Sequence, residues 1–98
     1  MTLSDKQIRH LRSLAHHLKP VVRVGQHGVH DTVLEELAQA LEAHELIKVK
    51  IVADKAGRRE IIDRLVAASD ATLVQHIGQM AVFFRRNDKK PKIALPSK

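Results

Sequence analysis

The sequence predicts a small α/β fold of the two-layer α+β type, with elements in the order α-β-α-β-α-β-β. Three observations carry that expectation. Apolar residues recur at helical spacing in three stretches, and short β-branched runs lie between and after them. The last two runs are separated only by Gly78-Gln79, which is hairpin length. Single helices between strands favour parallel pairing through crossovers, and the two-residue turn imposes a closing antiparallel pair. One mixed sheet of four strands, with helices mainly on one side, satisfies all three. A chain of 98 residues suffices for one core and one domain.

Ser4-Asp5-Lys6-Gln7 has the form of a capping box. Ile8, Leu11, Leu14, Ala15 and Leu18 follow at helical spacing, which predicts a first helix from about Asp5 to His17. Arg9, Arg12, His16 and Lys19 fall in one sector beside that stripe, and the sector contains no acid. Pro20 ends the helix, because it lacks an N–H and restricts Lys19. A short strand, Val21–Val24, then breaks into Gly25-Gln26-His27-Gly28.

The second helix is expected over Thr32–His44, capped by Asp31 or, one position earlier, by His30. Val33, Leu34, Leu37, Ala38 and Leu41 form its inner stripe, and Glu35, Glu36 and Glu42 its outer face. A strand that feeds a glycine-bounded turn into a helix N-terminus suits an anion. Glycine admits close backbone approach, and the first helical N–H groups have no intrahelical partner. The acidic outer face, by contrast, should not touch a polyanion.

In the second strand, Leu46–Val52, Ile47, Val49 and Ile51 point one way. Lys48 and Lys50 share the other side with Leu46 and Val52. Asp54-Lys55-Ala56-Gly57 reads as a break, with a third helix over Arg58–Ser69 that turns Ile61, Ile62, Leu65 and Val66 inward. Strands follow at Thr72–Ile77 and Met80–Arg86. Asn87–Lys98, with Lys89, Lys90, Lys92, Pro91 and Pro96, reads as an extended, loosely held basic tail.

Seventeen Lys and Arg against eleven Asp and Glu give a formal net charge of +6. That favours a polyanion, either nucleic acid or an acidic membrane surface. Phe83 and Phe84 are the sole aromatic rings of the Phe, Tyr and Trp type, so there is no row of rings for bases to stack on. The absence of cysteine excludes disulfides, thiolate nucleophiles and cysteine-bound zinc, and fits a reducing compartment. No apolar run approaches the roughly 20 residues that span a bilayer. The first residues lack the pattern of a secretory signal, so a cytoplasmic location is expected. As a membrane-surface element the first helix lacks bulky aromatic anchors.

Seven histidines raise a metal reading, but His16-His17 are adjacent and His27 and His30 straddle a loop end. Neither is a zinc spacing, and no metal or other cofactor is expected. A ribonuclease would use His27 and His30 as acid and base, with Lys19 or Arg23 on the phosphate. Nothing in the spacing demands it, and no carboxylate is placed to orient either ring. A non-enzyme is expected. A KH domain also has a GxxG loop, but there it joins two helices, whereas here it leaves a strand.

Several stretches together resemble a family. They are Ser4-Asp5-Lys6-Gln7, Leu14-Ala15-His16, Leu18-Lys19-Pro20-Val21-Val22, Gly25-Gln26-His27-Gly28-Val29, and the distinctive His44-Glu45-Leu46-Ile47-Lys48-Val49-Lys50. Ile77-Gly78 and Ile93-Ala94-Leu95-Pro96 complete the set. Over essentially its whole length the chain resembles the YhbY-like proteins, bacterial single-domain forms of the CRM domain (chloroplast RNA splicing and ribosome maturation).

The resemblance implies a fold like the C-terminal domain of translation initiation factor 3, with sheet order 1-2-4-3 and strand 4 antiparallel to the rest. It also implies RNA binding and association with precursors of the large ribosomal subunit. Members often carry lysine or asparagine inside the loop and end the last strand in tyrosine-arginine-proline. Here those positions hold Gln26 and His27, and Phe84-Arg85-Arg86, which leaves more of the charge to Arg23 and Lys19.

The expected RNA-binding residues are Gly25, Gln26, His27 and Gly28 with Arg23, Lys19, Arg9, Arg12, His16 and Arg85. The expected partner is large-subunit rRNA or its precursor, bound by a monomer that reads RNA shape more than base identity. The alternative is a scaffold that meets ribosomal proteins.

Overall fold

The computed structural model describes residues 2–25 and 27–98. Its elements run α1 (Asp5–Ala15), β1 (Pro20–Val24), α2 (Asp31–His44), β2 (Leu46–Ile51), α3 (Lys55–Ser69), β3 (Thr72–Ile77) and β4 (Met80–Phe84). The sheet order is β1-β2-β4-β3. β1 and β2 are parallel, and β4 is antiparallel to both β2 and β3. The fold is the α+β arrangement expected.

Alternation along the strands builds two apolar faces. Val22, Val24, Ile47, Val49, Ile51, Ala81 and Phe83 meet Leu37 and Leu41 of α2 and Ile61, Ile62 and Leu65 of α3. Full burial of one such side chain contributes about 1.5–3 kcal/mol. The opposite face is smaller. Leu46, Val74, Val82 and Phe84 pack against Leu11 and Ala15 of α1, with Ile8, Leu18, Ile93 and Leu95 beside them. Two helices therefore cover one face as expected, while α1 covers one end of the other. That end is where β2 starts and β4 finishes, since Leu46 pairs with Phe84.

Most departures from the predicted boundaries have a local cause. α3 begins three residues early, because the Asp54 carboxylate accepts the Gly57 N–H at 2.8 Å and caps the helix rather than breaking the chain. A side chain at Gly57 would crowd that carboxylate, with a Cβ 3.1 Å from Asp54 Oδ1. α2 is capped at His30, the earlier of the two expected positions, and without a side-chain bond. α1 stops at Ala15 with His16 as its C-cap. β4 stops at Phe84, which lies opposite Leu46 and Thr72, the first residues of β2 and β3.

The C-terminal segment is extended but not loosely held, which corrects the sequence reading. Its anchor is Glu45, fully buried at the C-cap of α2 with a φ of 62°. One carboxylate oxygen accepts the backbone N–H groups of Lys92 and Ile93 and faces the Arg86 guanidinium at 3.4 Å. The other accepts the N–H of Asn87. Arg86 also donates to the Ile93 carbonyl at 2.6 Å. At the far end the capping-box residue Gln7 turns its amide to the Pro96 carbonyl at 2.9 Å. Burial works to raise the Glu45 carboxyl, but three backbone donors and Arg86 outweigh it and hold the group below the usual carboxylate range.

Candidate nucleic-acid interface

The sheet face that α1 leaves open begins at the loop. Gly25 and Gly28 are joined by a turn in which the Gly28 N–H donates to the Gly25 carbonyl at 3.1 Å. That N–H is therefore engaged within the loop. Gly28 has a φ of +83°, the left-handed region that glycine tolerates best. Gly25 has no such conformation, and a Cβ built on it meets nothing within 4 Å. Its own fold does not require glycine. His27 is exposed in the turn, and Gln26 lies outside the described residues. Beyond the loop, α2 opens without a side-chain cap, so its first N–H groups lack that partner, though Asp31 adds an acid to the first turn.

Beside the loop stand Arg23 and Lys50. They are register partners on β1 and β2, and both lie on the side away from Val22, Val24, Val49 and Ile51. Lys48 lies two residues back along the same face. Arg9, Arg12 and His16 are exposed on α1, and Lys19 is exposed just before β1. Arg12 reaches the sheet, donating from Nε to the Val74 carbonyl at 3.0 Å.

Charge placement separates this face from the rest. No strand contains an acid, and α1 holds only Asp5. Among the described residues, the arginines within 4 Å of a carboxylate are Arg59, Arg64, Arg85 and Arg86. The first two lie on α3, and the others follow β4. Arg9, Arg12, Lys19, Arg23, Lys48 and Lys50 are not among them. The exposed Glu35 and Glu36 belong to α2, whose inner side packs on the opposite face of the sheet.

Arg85 belongs elsewhere. Its guanidinium donates to the carbonyls of Ser69 at 3.1 Å and Ala38 at 3.4 Å and pairs with Glu42 at 3.8 Å. Because β4 runs antiparallel, its end lies beside the start of β2, a strand length from the loop. The structure gathers Gly25, His27, Gly28 and Arg23 at one end of the open face. Lys19 lies at the other end of β1, and Arg9, Arg12 and His16 flank the face from α1. Lys48 and Lys50 were absent from the expected site, although their alternation with Ile47, Val49 and Ile51 had placed them on the wet side of the strand.

Among the described residues, no group of three His, Cys, Asp or Glu is placed to hold a metal ion. No helix among them is long and apolar enough to cross a membrane.

The model of the CRS1 / YhbY (CRM) domain family matches residues 3–85. A protein of Pseudomonas aeruginosa named "Probable RNA-binding protein" is 46% identical over 93 residues, covering 94% of this chain and 89% of the relative. A Bacillus subtilis protein with the same descriptive name is 41% identical over 95 residues, covering 96% of this chain and 99% of the relative. A solution structure from Staphylococcus aureus superposes with a TM-score of 0.83 at 35% identity. It covers 97% of this chain and 100% of that one.

Proposed function

The chain belongs to the CRS1 / YhbY (CRM) domain family, and we propose that it binds RNA as a non-enzymatic assembly factor for precursors of the large ribosomal subunit. The observation that carries RNA binding is the open face. Arg23, Lys48 and Lys50 lie on it and Arg9, Arg12 and Lys19 border it, none within 4 Å of a carboxylate among the described residues, while the acids other than Asp5 gather around α2, α3 and the C-terminal segment. Names of the relatives support the same partner. The large-subunit role rests on the family resemblance.

In this reading Arg23, Lys50 and Lys48 contact successive phosphates along the sheet, and Arg9, Arg12, His16 and Lys19 widen the positive field. The loop Gly25–Gly28 lets the backbone come against sugar and phosphate, with His27, Gln26 and the first N–H groups of α2 as donors. Arg85 stays outside the interface, because Ser69, Ala38 and Glu42 hold its guanidinium a strand length from the loop. The protein acts as a monomer in the cytoplasm.

Titration of the protein with a large-subunit rRNA precursor at several salt concentrations tests the proposal. With about six phosphate contacts, the logarithm of the affinity should fall against that of salt with a slope of roughly −4 to −5. Binding that ignores salt, or binding only to ribosomal proteins, would overturn it.

A further inference from the structure

At the end of the open face remote from the loop, the chain forms a groove of about 470 Å³. That size lies in the range of roughly 300–1,000 Å³ typical of small-ligand sites. Leu14 of α1, Leu18, Val21 of β1 and Ile93 of the C-terminal segment give it aliphatic walls. Lys19, Lys48 and His44 also line it, and none of the residues lining it is an acid.

We propose that this groove takes one unpaired nucleobase of the bound RNA, with Lys19 and Lys48 on the flanking phosphates. The proposal rests on the RNA-binding reading above and adds to it a base-accepting site. Three observations carry it. The exposed large apolar residues among those described are Leu14, Val21 and Ile77, and two of them flank this one groove. Both phenylalanines are buried, so a base has no exposed aromatic ring of that kind to stack on. The aliphatic slot offers a base an apolar surface of suitable size.

The third observation is continuity of charge. Lys48 lines the groove, Lys50 follows it on the same side of β2, and Arg23 is the register partner of Lys50. A single strand held by phosphates at Arg23 and Lys50 thus reaches Lys48 and the groove two β2 residues on, about 6.6 Å away. A second copy of the chain is a poorer occupant, because each copy carries +6 and would bring cations to a rim already cationic.

The test uses the whole protein and the charge-neutral double variant Leu14→Gln, Val21→Thr, with melting curves to establish that both are folded. Three probes are titrated: a mixed-sequence single-stranded RNA of about ten nucleotides, the same RNA annealed to its complement, and the same RNA with abasic positions. The wild type should prefer the intact single strand by roughly tenfold over the abasic one. The variant should lose that preference and keep its affinity for the duplex and its salt slope. Equal binding of abasic and intact strands by the wild type would overturn the groove proposal, even if the variant misfolds, and would leave salt-dependent RNA binding standing. No binding to any probe would overturn both readings. Concentration-dependent self-association that the double variant abolishes would assign the groove to a second copy and overturn the nucleobase.

Discussion

Replacing Glu45 by glutamine should destabilise the domain far more than a same-size exchange would suggest. The carboxylate is fully buried and accepts three backbone N–H groups on two oxygens, with Arg86 alongside. Glutamine keeps one oxygen and adds an NH₂. Whichever way it turns, a donor faces a donor at Asn87 or at the Lys92–Ile93 pair. A buried donor left unsatisfied costs about 1–3 kcal/mol, and loss of charge-assisted bonding adds to it. Arg86 keeps its bond to the Ile93 carbonyl, so its share is small. We expect about 3 kcal/mol in all. For a domain of this length that lowers Tm by about 10–20 °C.

The pH dependence gives a second readout. The folded carboxyl titrates below its ordinary value of 4.5, so its stabilisation is complete above that value and is lost as pH falls through the folded pKa. The gap in Tm between wild type and Glu45→Gln should therefore narrow as pH falls below about 4.5. Thermal unfolding by circular dichroism at pH 7 and at several acid values measures both. A variant that melts within a few degrees of the wild type at pH 7 would refute the latch.

Deleting Asn87–Lys98 should lower Tm by about 10 °C or more, since it strips Ile93 and Leu95 from the α1 face and leaves Glu45 without its backbone donors. A differential scanning trace settles it, and an unchanged midpoint would return the segment to a mere electrostatic arm. Arg85→Ala should cost about 1–2 kcal/mol through the lost bonds to Ser69 and Ala38, with RNA affinity unchanged in a binding titration. Gly28→Asp should fold with about 1 kcal/mol of strain from its positive φ, since the space beyond it is open. It should lose most of its RNA binding, which paired melting and binding measurements resolve.

Local rules carried the fold a long way. β3 was legible to the residue, because Thr72–Ile77 is a β-rich run between Asp70-Ala71 and Gly78-Gln79. The capping box at Ser4 and Gln7 was legible because both of its bonds lie within three residues. What escaped involves partners far apart in sequence. Glu45, a charged residue between a helix and a strand, reads as exposed, and its donors come from 42 to 48 residues later. The docking of Ile93 and Leu95 follows from that latch. Arg85 joined the expected site because it is basic and ends a strand. Only the antiparallel direction of β4 carries it to the far end of the sheet. Lys48 and Lys50 were legible as a wet strand face, but that α1 covers only one end of that face follows from packing between residues far apart in sequence.

The central claim is that RNA lies on the open sheet face beside the loop, and a charge-matched pair of variants tests it most directly. Arg23→Glu with Lys50→Glu reverses two cations on that face. Arg59→Glu with Arg64→Glu reverses two exposed cations on α3. Each double variant lowers the formal charge by four, from +6 to +2. Binding isotherms with one large-subunit rRNA precursor, at one salt concentration, should show the first pair weakened by roughly tenfold or more and the second nearly unchanged. Equal losses in the two would mean that RNA responds only to the net charge of the molecule and would contradict the account.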